Sequence, residues 1–251
     1  MYPKLCWCEM IVTIMQPYFF PYIGYFQLLE CSDIFVVYDD VQYIKGGWIN
    51  RNNILLNNKP YLLTFPVQQD SIKLFINQRN YVNNQSERNA ILYKIKMAYQ
   101  AAPYFECVYP VLLEIMSFNS NNVSEFNTNS IEILIDFLKI KCKIIVSSEL
   151  EKDRSLKSTD RVIEINSILG SSHYVNLLGG IDLYQEKNFV ERGIELSFIK
   201  LLNIQYHQFS QSFYPSLSII DTLMFCTVDE VKDLLKKYRL IKREDFDDQI
   251  L

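Results

Sequence analysis

The chain has 251 residues, 49% of them hydrophobic, enough to bury a large core as one big domain or a domain with a subdomain. With 25 Lys and Arg against 29 Asp and Glu the net charge is −4, so there is no basic footprint for nucleic acid or for an anionic membrane surface. No apolar run reaches the length of a membrane span, and no signal peptide opens the chain; cytoplasm is the expected location.

Residues 1–9 look unlike the apolar run after them and read as an extension outside the fold, with Met10 an equally good start. Ile11 to Met15 has the length and composition of a strand. Gln16-Pro-Tyr-Phe-Phe-Pro21 cannot be helix, because its prolines remove donors and bias their predecessors to extended geometry. Pro21 suits a first helical turn, and the apolar spacing continues a helix to Glu30. Asp33 to Tyr38 is β-branched and aromatic, a second strand. One helix between two strands is a βαβ unit, which makes the pair parallel. Residues 39–52 read as a polar loop.

Pro60 to Val67 is strand-like, and Ser71 to Ile76 is a candidate partner for it. Helical spacing covers 87–101, 105–118 and 123–139, with a strand at 143–147 and a helix at 158–169 capped by Ser158 or Thr159. A strand at 174–177, a helix at 182–191 and a strand at 194–199 come next. Helices at 216–225 and 229–238 close the chain. This alternation predicts an α/β fold: a mostly parallel, Rossmann-like sheet flanked by helices, with a mixed insertion at about 60–120. The expected organisation is a single domain over 10–226 followed by a C-terminal helix and tail over 227–251.

Ligands in such folds sit past the carboxyl ends of strands. Gln16 lies there after the first strand, and Asp39, Asp40 and Gln42 after the second. Asp39-Asp40 either line a polar cleft, with catalytic potential, or form a turn. Asn50-Arg51-Asn52 is the sharper signal, because an arginine fork binds phosphate or carboxylate bidentately; the alternative is a salt bridge from Arg51 to Asp39 or Asp40. Lys157-Ser158 either contacts phosphate or begins a helix. Gly179-Gly180 forms a turn demanded by close packing or a ligand, and Asp182 then caps a helix or enters the cleft. Of the two histidines, His173 lies in an apolar strand, while His207 in a polar, aromatic loop is the candidate base. Tyr18 could stack on a sugar or base. Six cysteines and two histidines assemble no zinc spacing; Cys31, Cys142 and Cys226 read as core packing, and no metal site is expected.

These motifs resemble the WbqC-like family, whose members are encoded among bacterial surface-polysaccharide genes. The resemblance rests on Gln16-Pro17-Tyr18-Phe19-Phe20-Pro21, Gly24-Tyr25-Phe26, Asp33 to Gln42 and Asn50-Arg51-Asn52. It continues through Lys157-Ser158-Thr159, Gly179-Gly180-Ile181-Asp182-Leu183-Tyr184, and Tyr206-His207-Gln208 with Phe213 to Leu223. Met15 stands where a histidine commonly precedes Gln-Pro, Ile181 where an arginine commonly follows the glycines, and Cys226 near a usual asparagine. The opening unit also resembles nucleotidylyltransferases, with Tyr22-Ile-Gly24-Tyr25 where they carry two imidazoles around the glycine. There the glycine lets phosphate approach the helix N-terminus.

The resemblance implies an enzyme of surface-polysaccharide (O-antigen) biosynthesis, transferring a small acyl or aminoacyl group to a nucleotide-linked or amino sugar. A nucleotide, ATP or a nucleotide-sugar, is the cofactor it suggests, and the partners it implies are small molecules. The alternative is a non-catalytic nucleotide- or sugar-binding pathway protein with a degenerate nucleotidylyltransferase-like site.

Overall fold

The computed structural model describes residues 9–82 and 85–247. Of the expected N-terminal extension only Glu9 lies within them; Cys6 and Cys8 fall outside.

A six-stranded sheet forms the centre, built from β1 (Ile11–Met15), β2 (Ile34–Val37), β5 (Lys143–Val146), β6 (His173–Leu177), β7 (Glu195–Leu201) and β8 (Tyr238–Ile241). Its strand order is β5-β2-β1-β6-β7-β8. The first five strands are parallel; only β8, at the edge, runs antiparallel, against β7. Val12 faces Ile34 and Met15 faces Val37, the parallel pair that the βαβ reading predicts. Successive side chains of a strand point to opposite faces. Val12, Ile14 and Val36 therefore join one apolar cluster, while Phe35 and Val37 join the other.

The larger cluster packs α1 (Ile23–Cys31), α2 (Gln85–Tyr99), α3 (Phe105–Ser117), α4 (Val123–Leu138), α7 (Ile219–Phe225) and α8 (Val228–Leu235). The smaller lies under α5 (Ser158–Ile168) and α6 (Glu186–Val190). Both faces of the parallel strands are thus covered, as an all-parallel core requires.

Several local expectations are corrected. Arg51 and Asn52 are not loop: they open β3 (Arg51–Leu56), which pairs with β4 (Lys59–Thr64) as a separate antiparallel hairpin. Its turn is Asn57-Asn58, with φ of +52° and +59°. That is the left-handed pair a two-residue type I′ hairpin needs, and asparagine tolerates it. Ser71 to Ile76 is not a strand; a single bridge joins Gln42 to Phe75, and a 3-10 turn follows at Ile76–Gln78.

The helix expected over 182–191 is a 3-10 segment, Leu178–Leu183, and then the short α6. The helix expected from 216 starts at 219, with the Ser218 hydroxyl accepting from the Ile220 N–H. The helix expected to reach 238 stops at Leu235; after a two-residue gap Tyr238 enters β8, and α9 (Arg243–Asp247) follows. Ser158 does not cap α5. Lys157 is its N-cap, with no side-chain cap bond, and Ser158 sits at φ +49°.

Cys31, Cys142 and Cys226 are largely shielded, and burial pushes their thiols up to about 12, 11 and 12. They remain protonated packing groups, as expected. His173 is structural too: Nε2 bonds the Ser197 hydroxyl at 2.9 Å, and burial lowers its pKa.

Candidate functional site

Strand order reverses between β1 and β6, and parallel sheets leave a crevice past the strand ends at that point. The chain leaves β1 through Gln16. Its backbone carbonyl accepts from the Tyr25 hydroxyl at 2.9 Å, while its half-buried side-chain amide has no protein partner among the described residues. The next turn is held rigidly. Asn52 donates to the carbonyls of Phe19 (3.3 Å) and Phe20 (2.7 Å), and the Ser218 hydroxyl donates to Phe20 as well. Those bonds hold Phe20 at φ +42°. Asn52 is therefore a scaffold residue, buried by the motif it holds. Tyr18 lies half-buried against Tyr25, ring centres 5.6 Å apart.

Gly24 has a specific reason. A Cβ there would lie 2.5 Å from the Tyr22 ring. The close approach at the start of α1 is taken by that phenol, whose pKa burial pushes up to about 12.

Across the switch point, Gly180 packs where a Cβ would come within 3.0 Å of the Asn176 amide, while Gly179 is open. Asn176 in turn donates to the Tyr174 hydroxyl at 3.1 Å. The Thr159 hydroxyl reaches the Leu183 carbonyl at 3.3 Å, tying the start of α5 to the glycine turn. Lys157, Ser158 and Gly179 are exposed, and Gly180 is buried.

Asp39 and Asp40 do something else. Asp39, 2% exposed, accepts from the Ser148 N–H at 2.9 Å and from its hydroxyl at 2.7 Å. Asp40 accepts from the Ser147 hydroxyl at 2.7 Å and pairs with Lys152 at 3.0 Å, with Arg161 3.9 Å away. Lys152 also bonds the Ser147 carbonyl, and Arg161 the Asp40 carbonyl. Both carboxylates clamp the end of β2 to the turn after β5. Arg51 makes no salt bridge to either; its Nε and Nη2 donate to the carbonyls of Gly47 and Gly46.

Gln42, Asn50 and Arg51 do converge, in a cleft of about 640 Å³ shared with Lys45, Asp70 and Arg79. Asn50 is positioned there by accepting from the Tyr43 hydroxyl (2.9 Å) and donating to Phe65 (2.9 Å), and Gln42 donates to Ile72. The remaining candidates lie elsewhere. Asp182 is exposed and pairs with Arg243 at 3.2 Å; Arg243 also donates to the carbonyls of Ile181 and Tyr184. His207 is exposed, its ring 5.9 Å from that of Phe225. Gln16, Asp39, Asp40, Arg51 and Asp182, though each follows a strand end or a turn, therefore do not share one cleft.

Sequence reasoning passed over Asp221. It is wholly buried and accepts from the hydroxyls of Tyr99 (2.9 Å) and Tyr206 (2.8 Å) and from the Gln208 amide (2.7 Å). No cation pairs with it among the described residues; burial raises its pKa and the three donors oppose that rise. Gln208 also brackets Tyr214 through its N–H and carbonyl, so the network pins the 206–214 loop onto α7. The Tyr-x-Gln and Asp of the closing motif were the available signal. Arg79 was missed as well, since nothing in its local sequence marks it as buried.

The chain matches the model of the WbqC-like protein family over residues 16–233 and belongs to that family. It is 27% identical over 236 residues to an uncharacterized protein of Mycobacterium tuberculosis, Rv1507c, an alignment covering 91% of this chain and 98% of that protein. No solved structure matches it.

Proposed function

We propose that this member of the WbqC-like family acts in the cytoplasm in bacterial surface-polysaccharide assembly. It binds a nucleotide-linked or amino sugar at the carboxyl edge of the sheet and transfers a small acyl or aminoacyl group to it. The observation that supports the reading is the reversal of strand order between β1 and β6, together with the Thr159–Leu183 bond that links the start of α5, next to Lys157-Ser158, to the turn that follows Gly179-Gly180. Lys157 supplies a point charge for a phosphate, and the glycine turn leaves backbone open to it. Gln16 offers an uncommitted amide for a hydroxyl or a base. In the transfer, the sugar amine attacks the acyl carbonyl, the carbon–leaving-group bond breaks with its electron pair going to the leaving group, and the amine's proton passes to that leaving group or to water as the amide forms. With Asp39 and Asp40 tied into the scaffold, the protein's contribution is positioning an activated donor against the amine.

A second reading, a binding protein without chemistry, is favoured by the phenols Tyr22 and Tyr25 at the start of α1. Tyr25 is fully buried, and Tyr22 covers the glycine that would otherwise admit phosphate. Neither carries the positive charge that steadies a phosphoryl transition state.

Thermal-shift measurements with ATP, CTP and UDP-sugars, followed by mass spectrometry of amino-sugar acceptors incubated with acyl donors, separate the two. A bound nucleotide or nucleotide-sugar with an acyl mass gain supports transfer. Binding without product across acceptors supports the second reading. No stabilisation by any of these ligands overturns both.

A further inference from the structure

The cleft between the β2–β3 loop and residues 67–79 has a charge problem that the protein does not solve. Lys45, Arg51 and Arg79 line it, against a single carboxylate among the described residues, Asp70. None of the three cations is paired with a carboxylate among the described residues. Arg79 is the critical one. It is 7% exposed, its Nη1 and Nη2 donate to the carbonyls of Ser71 (3.0 Å) and Gln68 (2.8 Å), and its Nε has no acceptor among the described residues. Its guanidinium lies 5.0 Å from the centre of the Tyr43 ring. Carbonyls and a ring face satisfy direction and shape, but they do not neutralise a shielded unit charge.

Arg51 adds a second guanidinium, held through Nε and Nη2 by the Gly47 and Gly46 carbonyls, with Nη1 left without a protein acceptor among the described residues. Lys45 adds a third charge, at an exposed position. Apolar side chains stand beside them, Ile44 at 57% and Ile72 at 74% exposure, and Gln68 and Gln69 contribute amides. Cations, amides for hydroxyls and apolar patches for C–H faces, all lining one cleft, make a combination suited to a charged carbohydrate.

We propose that this cleft binds a sugar carrying a negative charge, either a phosphate or a ring carboxylate, with the anion seated among Arg79, Arg51 and Lys45. The inference stands apart from the nucleotide reading at the sheet edge, since none of the residues named for it lines the cleft.

Calorimetry on the full chain with glucose 1-phosphate, glucuronate, inorganic phosphate and neutral glucose tests it. Both charged sugars should bind, phosphate more weakly, and glucose not at all at millimolar concentration. Added salt should weaken the charged sugars. Lys45→Glu, at an exposed position, should weaken them about tenfold, and Asp70→Asn should tighten them about threefold. A merely structural role for these two residues would not produce opposite changes. Glucose binding as tightly as its charged counterparts, or no binding by either charged sugar, overturns the proposal. So does inorganic phosphate matching both sugars, or affinities unmoved by the two substitutions. The ATP melting shift of Lys45→Glu keeps the sites apart. If that shift is wild-type, the two sites are independent; if it is abolished, the nucleotide occupies this cleft and the sugar assignment fails.

Discussion

Replacing Tyr99 by Phe removes one oxygen and no packing volume, from the point where α2, the hairpin and α7 meet. That oxygen accepts from the Leu55 N–H at 2.8 Å and donates to Asp221 at 2.9 Å. Leu55 is 1% exposed and Asp221 fully buried, so water cannot replace either bond. An orphaned buried N–H costs about 1–3 kcal/mol and a lost bond to a charged acceptor about 1.5–3 kcal/mol. The sum, about 2.5–6 kcal/mol, is a large part of a domain's ordinary stability of about 5–15 kcal/mol. For a chain of this size it corresponds to a fall in melting temperature of about 10 °C. Urea unfolding of wild-type and Tyr99→Phe at neutral pH reads it directly. A loss below about 1 kcal/mol would refute the view that this network holds α7 and the 206–214 loop in place. Asp221→Asn gives the companion pH test. Burial raises the folded carboxyl's pKa above its ordinary 3.8, so the folded state holds the proton more tightly than the unfolded chain does. The stability this contributes is complete below the unfolded pKa and is lost as pH rises through the raised folded value. The wild type's advantage over Asp221→Asn should therefore be larger at about pH 4 than at about pH 7.

Gly24→Ala would place a methyl 2.5 Å from the Tyr22 ring, so the ring must leave. A loss of about 1–3 kcal/mol is expected by thermal melting, and Tyr22→Ala in the same chain should recover part of it. Asp40→Asn leaves Lys152, whose side chain is 2% exposed, without its charge partner, and should cost about 3–5 kcal/mol in urea unfolding. The double replacement Asp40→Leu with Lys152→Met should cost less than the single change; a larger cost would show that the pair is needed for more than its own neutralisation. Asn58→Gly, at φ +59°, should stabilise the hairpin by about 0.5–1 kcal/mol, and an unchanged or lowered melting temperature would contradict the type I′ turn.

Much of the fold was legible from local pattern. Prolines at 17 and 21 ended β1 and set the start of α1, a β-branched run marked β2, and short, largely apolar runs marked β6 and β7. Spacing near 3.6 marked α2 to α5. Those signals act over a few residues, within the reach of backbone sterics and side-chain alternation. β3 was not legible, because Asn52 and Asn53 are poor strand formers; Asn52 is drawn into the strand by the Phe19 and Phe20 carbonyls, more than thirty residues away. β8 was hidden in the same way, since its pairing with β7 across some forty residues overrides a sequence that could continue a helix.

The site followed the same division. The sequence by itself determined that polar groups would follow β1 and β2, that a glycine turn would follow β6, and that Arg51 would stand beside polar neighbours. Only the tertiary structure decided which of these groups were already spent. Asp39 and Asp40 meet Ser148 and Ser147 at separations of 109 and 107 residues, and Asp221 meets Tyr99 at 122. A carboxylate's role depends on which donors reach it and on how much water remains. Both are properties of packed neighbours rather than of the adjoining chain. For the same reason Arg79 reads as an ordinary surface arginine in the sequence, and becomes a shielded, unpaired charge only when the chain folds around it.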